Sequence, residues 1–272
     1  MTKINQRERF IENCGYLGLK WISQNYESVV EKAGKSDTGF YSFLEDIIQR
    51  EADSRRERGI KYRMKASRLP QPNKTLHEFD FAFQPGLMAK KKLIMDLASM
   101  DFLQAKTSIL LFGDCGTGKS HLAQGLGAIA CEKGIKVYYT TCAEMLNDLN
   151  AGVYEKTLQK RMRKYINAQL LVIDEMGHDR LELQVVREAH LLFKVIDQRY
   201  KENKSLIFTS NIEEEQWPEF LGDPVSTDAI LDRIFHHSVI VRIYGPSYRK
   251  YQSGLLQKKY AENNTNFENE SG

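Results

Sequence analysis

Apolar positions fall into two regimes along the chain. From residue 107 onward, short apolar runs at 107–112 (Thr-Ser-Ile-Leu-Leu-Phe), 135–140, 169–173, 205–209 and 238–243 predict strands. Between them, 118–131, 142–150, 154–167 and 185–201 read as helices. Apolar strands alternating with helices predict an α/β fold with a parallel sheet covered on both faces. Residues 1–68 read as helical instead. Phe40, Phe43, Leu44, Ile47 and Ile48 recur at i, i+3, i+4, i+7 and i+8, one apolar stripe on a helix. Three of the six prolines (Pro70, Pro72, Pro85) fall in 69–86, so a boundary is expected there, because proline removes a backbone donor and restricts its predecessor. No internal repeat is evident, and the polar tail from Ala261 is expected to fray.

The chain has 272 residues, 42% of them apolar and 28% charged, enough to bury a core for one full-sized domain and a smaller appendage. Lys and Arg number 39 against 36 Asp and Glu, so any basic function must come from local clustering. One cluster is Arg50, Arg55, Arg56, Arg58, Lys61, Arg63, Lys65 and Arg68, facing only Glu51, Asp53 and Glu57. It reads equally as a solvated helix face or as a contact for nucleic acid or an acidic partner. Cys14, Cys115, Cys131 and Cys142 lack CxxC spacing, which suits reduced thiols in a cytoplasmic protein. The charged start argues against a signal peptide, and no apolar run is long enough to span a membrane. The six histidines show no metal-cage spacing.

The chemistry concentrates in 113–120. Gly113-Asp114-Cys115-Gly116-Thr117-Gly118-Lys119-Ser120 is a full GxxxxGK[ST] phosphate loop, following a predicted strand and opening a predicted helix. Its glycines let successive N–H groups turn inward onto phosphate oxygens, beside the positive end of the helix. Lys119 is placed to reach the β- and γ-phosphates, and Ser120 to ligate Mg²⁺. A second half of the site is expected from Leu170-Leu171-Val172-Ile173-Asp174-Glu175. Asp174 would hold Mg²⁺ through water, and Glu175 would polarise the attacking water or merely cap the next segment. Asn211, after the strand 205–209, would orient that water or serve as a turn residue. Asp174-Glu-Met-Gly177 also fits the DxxG of GTPases, but Asn203-Lys204-Ser205-Leu206 lacks the Asp that reads guanine, so ATP is favoured.

Three segments resemble the AAA+ ATPases: Gly-Asp-Cys-Gly-Thr-Gly-Lys-Ser-His-Leu-Ala (113–123), Leu-Leu-Val-Ile-Asp-Glu-Met-Gly (170–177) and Ile-Phe-Thr-Ser-Asn (207–211). More narrowly, Thr75-Leu-His-Glu-Phe-Asp-Phe81, Ala229-Ile-Leu-Asp-Arg-Ile-Phe-His-His-Ser (229–238) and Ile-Tyr-Gly-Pro-Ser-Tyr-Arg (243–249) resemble the IstB transposition helpers, relatives of the DnaC helicase loaders. The resemblance runs to about residue 255 and implies a P-loop core with a five-stranded parallel sheet between helices, working as an oligomer. It implies a small all-α domain at 1–68, a linker at 69–86, the ATPase domain at 87–255 and a polar tail at 256–272. His121 joins the phosphate-binding set, and Arg233 matches the arginine finger that completes a neighbouring subunit's site. With 39 residues after Arg233, the C-terminal lid is expected to be short or absent, and Arg249 is the candidate second sensor arginine. The helix 154–167, with Lys156, Lys160, Arg161, Arg163 and Lys164, looks like the clade's nucleic-acid-facing helix, though an ordinary basic face would read the same.

The function so implied is an ATPase that assembles as a ring or spiral on double-stranded DNA, with ATP and Mg²⁺, and recruits and stimulates an IstA-like transposase. The alternatives are a DnaC-like replicative helicase loader on single-stranded DNA, and an adaptor gated by ATP binding alone.

Overall fold

The computed structural model describes residues 3–35, 39–70, 74–176, 185–221 and 223–257. The chain divides into two compact units, Met1–Tyr62 and Arg63–Gly272.

The first unit holds α1 (Lys3–Leu17), α2 (Lys20–Lys35) and most of α3 (Phe40–Ser67). The chain reverses between α1 and α2 at Gly18, whose N–H donates to Gly15 O. Cys14 and Ile22 are buried, and so is Glu51, which accepts from the Ile22 N–H at 2.9 Å and from Arg58 at 3.1 Å. Burial alone would raise the Glu51 carboxyl; these donors outweigh it and hold the group below its ordinary value. The expected stripe lies on α3, yet Phe40, Leu44 and Ile48 are exposed and only Phe43 and Ile47 are half-buried. Part of the arginine run is neutralised along the same helix, by Arg50–Asp46 and Arg56–Asp53 pairs at 2.7 Å.

The second unit is built on five parallel strands: β1 (Ser108–Phe112), β2 (Val137–Thr141), β3 (Leu170–Met176), β4 (Leu206–Ser210) and β5 (Ser238–Arg242), in the order β2-β3-β4-β1-β5. Alternation along each strand divides the core into two layers. Ile109, Leu111, Val172 and Ile207 pack against Leu122, Ala123 and Leu126 of α7 (Lys119–Glu132). Leu110, Phe112, Leu171, Ile173 and Phe208 face the opposite layer, which includes α8 (Cys142–Tyr154), α9 (Leu158–Asn167) and α10 (Val185–Lys201). Arg199 of α10 is wholly buried and donates to the carbonyls of Tyr165, Ile166, Ala168 and Ser205, tying the end of α9 to the start of β4. That burial lowers its pKa to about 10.

Three features depart from the sequence reading. The break between the helices expected at 142–150 and 154–167 falls later, because α8 runs on to Tyr154 and Lys156, at φ +57°, precedes the start of α9 at Leu158. Strand β3 runs on through Asp174 and Glu175 to Met176, with a register shift against β4 between Ile173 and Met176. Segment 69–86 places Leu69, Leu76 and Phe81 in the core beneath α7, ahead of the short helices α4 (Pro85–Met88), α5 (Lys91–Leu97) and α6 (Asp101–Gln104). After β4 come α11 (Trp217–Leu221) and α12 (Pro224–His236); after β5, residues 248–257 form α13. The polar tail from Ala261, and Gly177 of the DxxG match, lie outside the described residues.

Candidate functional site

The turn from β1 into α7 is shaped from outside as well as by its own glycines. Gly113 has φ +145°, and a Cβ there would lie 2.1 Å from Ile243 O. Gly116 has φ +84°, and its Cβ would lie 2.2 Å from Ser247 Oγ. At Gly113 a backbone carbonyl leaves no room for a side chain, and at Gly116 the positive φ is a conformation that side chains disfavour. The segment after β5 is therefore a strap across the loop, pinned by the Tyr248 N–H on Gly116 O at 3.0 Å and by Gln84 Nε2 on Pro246 O at 2.8 Å. Asp114 O and the Thr117 hydroxyl close the turn at 2.8 Å, and Gly118 is the N-cap of α7.

Lys119 is buried and donates to Gly113 O at 2.6 Å and Asp114 O at 2.9 Å. Burial depresses its pKa, while the charges of Cys115, Asp174 and Asp114 oppose the shift. Next to it, Ser120 Oγ donates to Asp174 Oδ1 at 3.0 Å. The Asp174 carboxylate also accepts from the Thr209 hydroxyl, the Tyr139 phenol and, at 3.1 Å, the Glu175 N–H. Burial first, and the neighbouring Asp174 second, push the Tyr139 phenol far above its ordinary pKa, so it remains a donor.

The bulge in β3 then separates two adjacent carboxylates. Asp174 stays buried, whereas Glu175 takes φ +63° and is exposed, its N–H held by Thr209 Oγ1 at 2.9 Å. A non-glycine residue in the left-handed region is sparsely populated and is retained where its surroundings over-determine it.

A cavity of about 390 Å³ opens over this turn. Cys115, Gly116, Gly118, Lys119, Ser120, His121, Glu175, Asn211 and Arg249 line it, together with Lys74, Glu78, Thr209, Tyr248 and Gln252. Arg249 is carried in by the strap and α13, and His121 is fixed by Thr75 O at 2.8 Å. Asn211 Nδ2 lies 3.7 Å from Cys115 Sγ, while its Oδ1 is buried without a hydrogen bond. Gly113, Asp114 and Thr117 shape the loop from behind without lining the cavity. An anion lodged here would meet an ammonium, an arginine and the start of a helix. Ser120 and Asp174 also offer paired hard oxygens from two elements, the donor type that magnesium takes, so these residues fit that ion.

Arg233 is not among the residues lining this cavity. It lies on α12, with Nε on Asp197 at 3.0 Å, Nη1 on Ala229 O at 2.8 Å and its guanidinium over the Phe193 ring. The five basic residues around α9 also divide. Arg161 pairs with Asp148 at 2.6 Å and Glu155 at 2.7 Å, and Lys164 with Asp148 at 2.9 Å. Burial would raise the Asp148 carboxyl, but Lys164, Tyr165 and Arg161 overcome it and hold the group low. Lys156, Lys160 and Arg163 are exposed and make no ion pair among the described residues.

Sequence spacing missed Tyr139, the strap's hold on the loop and the hydroxyl of Thr209. The parity of β2 against β3 is the signal that could have found Tyr139. Tyr139 is in register with Val172, which puts it on the face of Asp174, one diagonal step away. Among the described residues, no helix is long and apolar enough to cross a membrane.

The family model of the IstB-like ATP binding protein matches residues 13–255. The chain is 35% identical over 253 residues to the ATP-binding protein of insertion sequence IS5376 from Geobacillus stearothermophilus, covering 93% of this chain and 98% of that protein. It is 36% identical over 245 residues to the IS21 ATP-binding protein from Pseudomonas aeruginosa, covering 89% and 90%. Among solved structures, a DNA replication initiation factor matches 71% of this chain and 56% of its own, with a TM-score of 0.54 and 20% identity. Domain III of the Thermotoga maritima replication initiation protein DnaA matches 64% and 68%, with a TM-score of 0.53 and 21% identity. These two likenesses are of fold alone.

Proposed function

The chain belongs to the IstB-like ATP-binding proteins, and from that premise we propose that it is the ATPase of a DNA-transposition system. ATP drives its assembly on double-stranded DNA, the assembly recruits a cognate transposase, and hydrolysis dismantles or remodels the complex. The observation that carries this reading is the convergence of Lys119, Ser120, Glu175, Asn211 and Arg249 on one cavity, with the buried Asp174 bonded to Ser120 beside it. Binding alone has no use for an exposed carboxylate on a strained bulge beside a buried one. The insertion-sequence names of the relatives support transposition over helicase loading.

In this mechanism Lys119 exchanges its two carbonyl partners for β- and γ-phosphate oxygens. Asn211 and Glu175 hold the attacking water, and Glu175 takes its proton as the new oxygen–phosphorus bond forms and the bond to the β-phosphate oxygen breaks. Ser120 and Asp174 would hold magnesium, which neutralises charge on the phosphates. Arg249 stabilises the γ-phosphate from the same chain. Arg233 is supplied to the neighbouring copy's site, its Nε and Nη1 already anchored, to meet charge developing in the transition state. Lys156, Lys160 and Arg163 contact DNA phosphates without reading sequence.

Mixing two inactive variants tests the shared site. Arg233→Ala alone is expected to bind ATP normally and lose about 10³-fold in turnover, within the range for an arginine finger. Lys119→Ala alone should bind ATP at least about 100-fold more weakly and show no turnover. Combined, they should regain a measurable fraction of wild-type ATPase activity, because the Lys119→Ala copy still donates Arg233 to an intact site. Absence of rescue across all mixing ratios contradicts a finger acting between copies.

A further inference from the structure

The Asp174 carboxylate is held unequally. Oδ1 accepts from Ser120, from Thr209 and from the Glu175 N–H, whereas Oδ2 accepts from the Tyr139 phenol. Torsion about the last bond of an aspartate is broad and nearly two-fold, and rotation about it swings both oxygens together. The bond from Tyr139 resists that rotation at Oδ2, on the opposite side from the three donors to Oδ1. Tyr139 is itself buried, near the buried Gln124, which lies one helical turn beyond Ser120 on α7. Tyr139 does not belong to the phosphate loop's own pattern and comes from β2.

We propose that Tyr139 is a positioning residue that fixes the carboxylate plane of Asp174 for magnesium. This rests on the reading of Asp174 as the magnesium-side acid. The expected division of labour is specific. When Ser120 turns from Asp174 to a metal, Oδ1 keeps Thr209 and the Glu175 N–H, and Oδ2 keeps Tyr139, so the acid remains aligned throughout. Tyr139 itself touches neither nucleotide nor metal. Partners of this kind, one bond removed from a ligating group, typically change metal affinity about 10- to 100-fold when removed.

The test is a titration of a fluorescent ATP analogue with and without magnesium, read as binding and not as turnover. For Tyr139→Phe the magnesium concentration giving half-maximal tightening is expected to rise about tenfold. Nucleotide affinity in the absence of magnesium should equal that of the wild type, a split that general loosening of the fold would not produce. A folded Tyr139→Phe chain with the wild-type magnesium midpoint overturns the proposal. Should that variant fail to fold, Tyr139→Met, which fills the same space with a flexible side chain and no donor, carries the test: the same rise in the midpoint supports the role, and an unchanged midpoint overturns it. If the wild type shows no magnesium-linked tightening, the ATP–magnesium reading fails and this inference falls with it.

Discussion

Replacing Lys119 with alanine will weaken ATP binding by at least about 100-fold while leaving the fold intact. Two charge-assisted hydrogen bonds to phosphate are each worth roughly 1.5–3 kcal/mol, and their loss corresponds to about 10²–10⁴ in affinity. The substitution acts in the ligand-free chain as well. Lys119 clamps Gly113 O and Asp114 O, so the loop loses an internal tie. The strap still holds it through Tyr248 N–H on Gly116 O, and that contact is why the fold should survive. Depressed basicity from burial also means that this lysine gives up little solvation on meeting the nucleotide. Equilibrium titration with a fluorescent ATP analogue, alongside thermal unfolding, checks both halves. Wild-type affinity in a folded Lys119→Ala chain would remove the loop from nucleotide binding.

Glu175→Gln should separate binding from turnover. The amide keeps the size of the side chain, and the φ +63° backbone is held from Thr209 Oγ1 through the N–H, which glutamine also possesses. Because the Glu175 side chain is exposed, its replacement should scarcely alter stability. What disappears is a carboxylate able to take a proton from water, a contribution of about 10²–10⁴ in rate. Steady-state phosphate release is therefore expected to fall by about that factor, with ATP affinity preserved and the nucleotide-bound assembly persisting on DNA. Unchanged turnover would exclude Glu175 as the base.

How far the sequence reaches is clearest at particular residues. The phosphate loop was legible because its eight residues are contiguous and its context, strand before and helix after, is local. All five strands could be placed within a few residues, since short apolar runs, buried on both faces along most of β1, β3 and β4, leave a strong signal. Other features depended on contacts between distant segments. Tyr139 and Thr209 reach Asp174 only because β2 and β4 flank β3. The strap 243–249 could be matched to a family pattern, but its closeness to Gly113 and Gly116 is a tertiary fact. Charge counting treated five residues around α9 as equivalent, whereas Asp148 and Glu155 occupy two of them. The apolar stripe of α3 was placed correctly on a helix, yet periodicity does not say whether a stripe is covered.

The central claim is that ATP bound in the 113–120 cradle governs assembly of this chain on duplex DNA. Sedimentation velocity with a non-hydrolysable ATP analogue, magnesium and a DNA duplex measures it most directly. The expected result is a fast-sedimenting protein–DNA species that requires the analogue and is absent when Lys119 is alanine. A wild-type chain that sediments as a single subunit, whether or not analogue and duplex are present, would contradict the account.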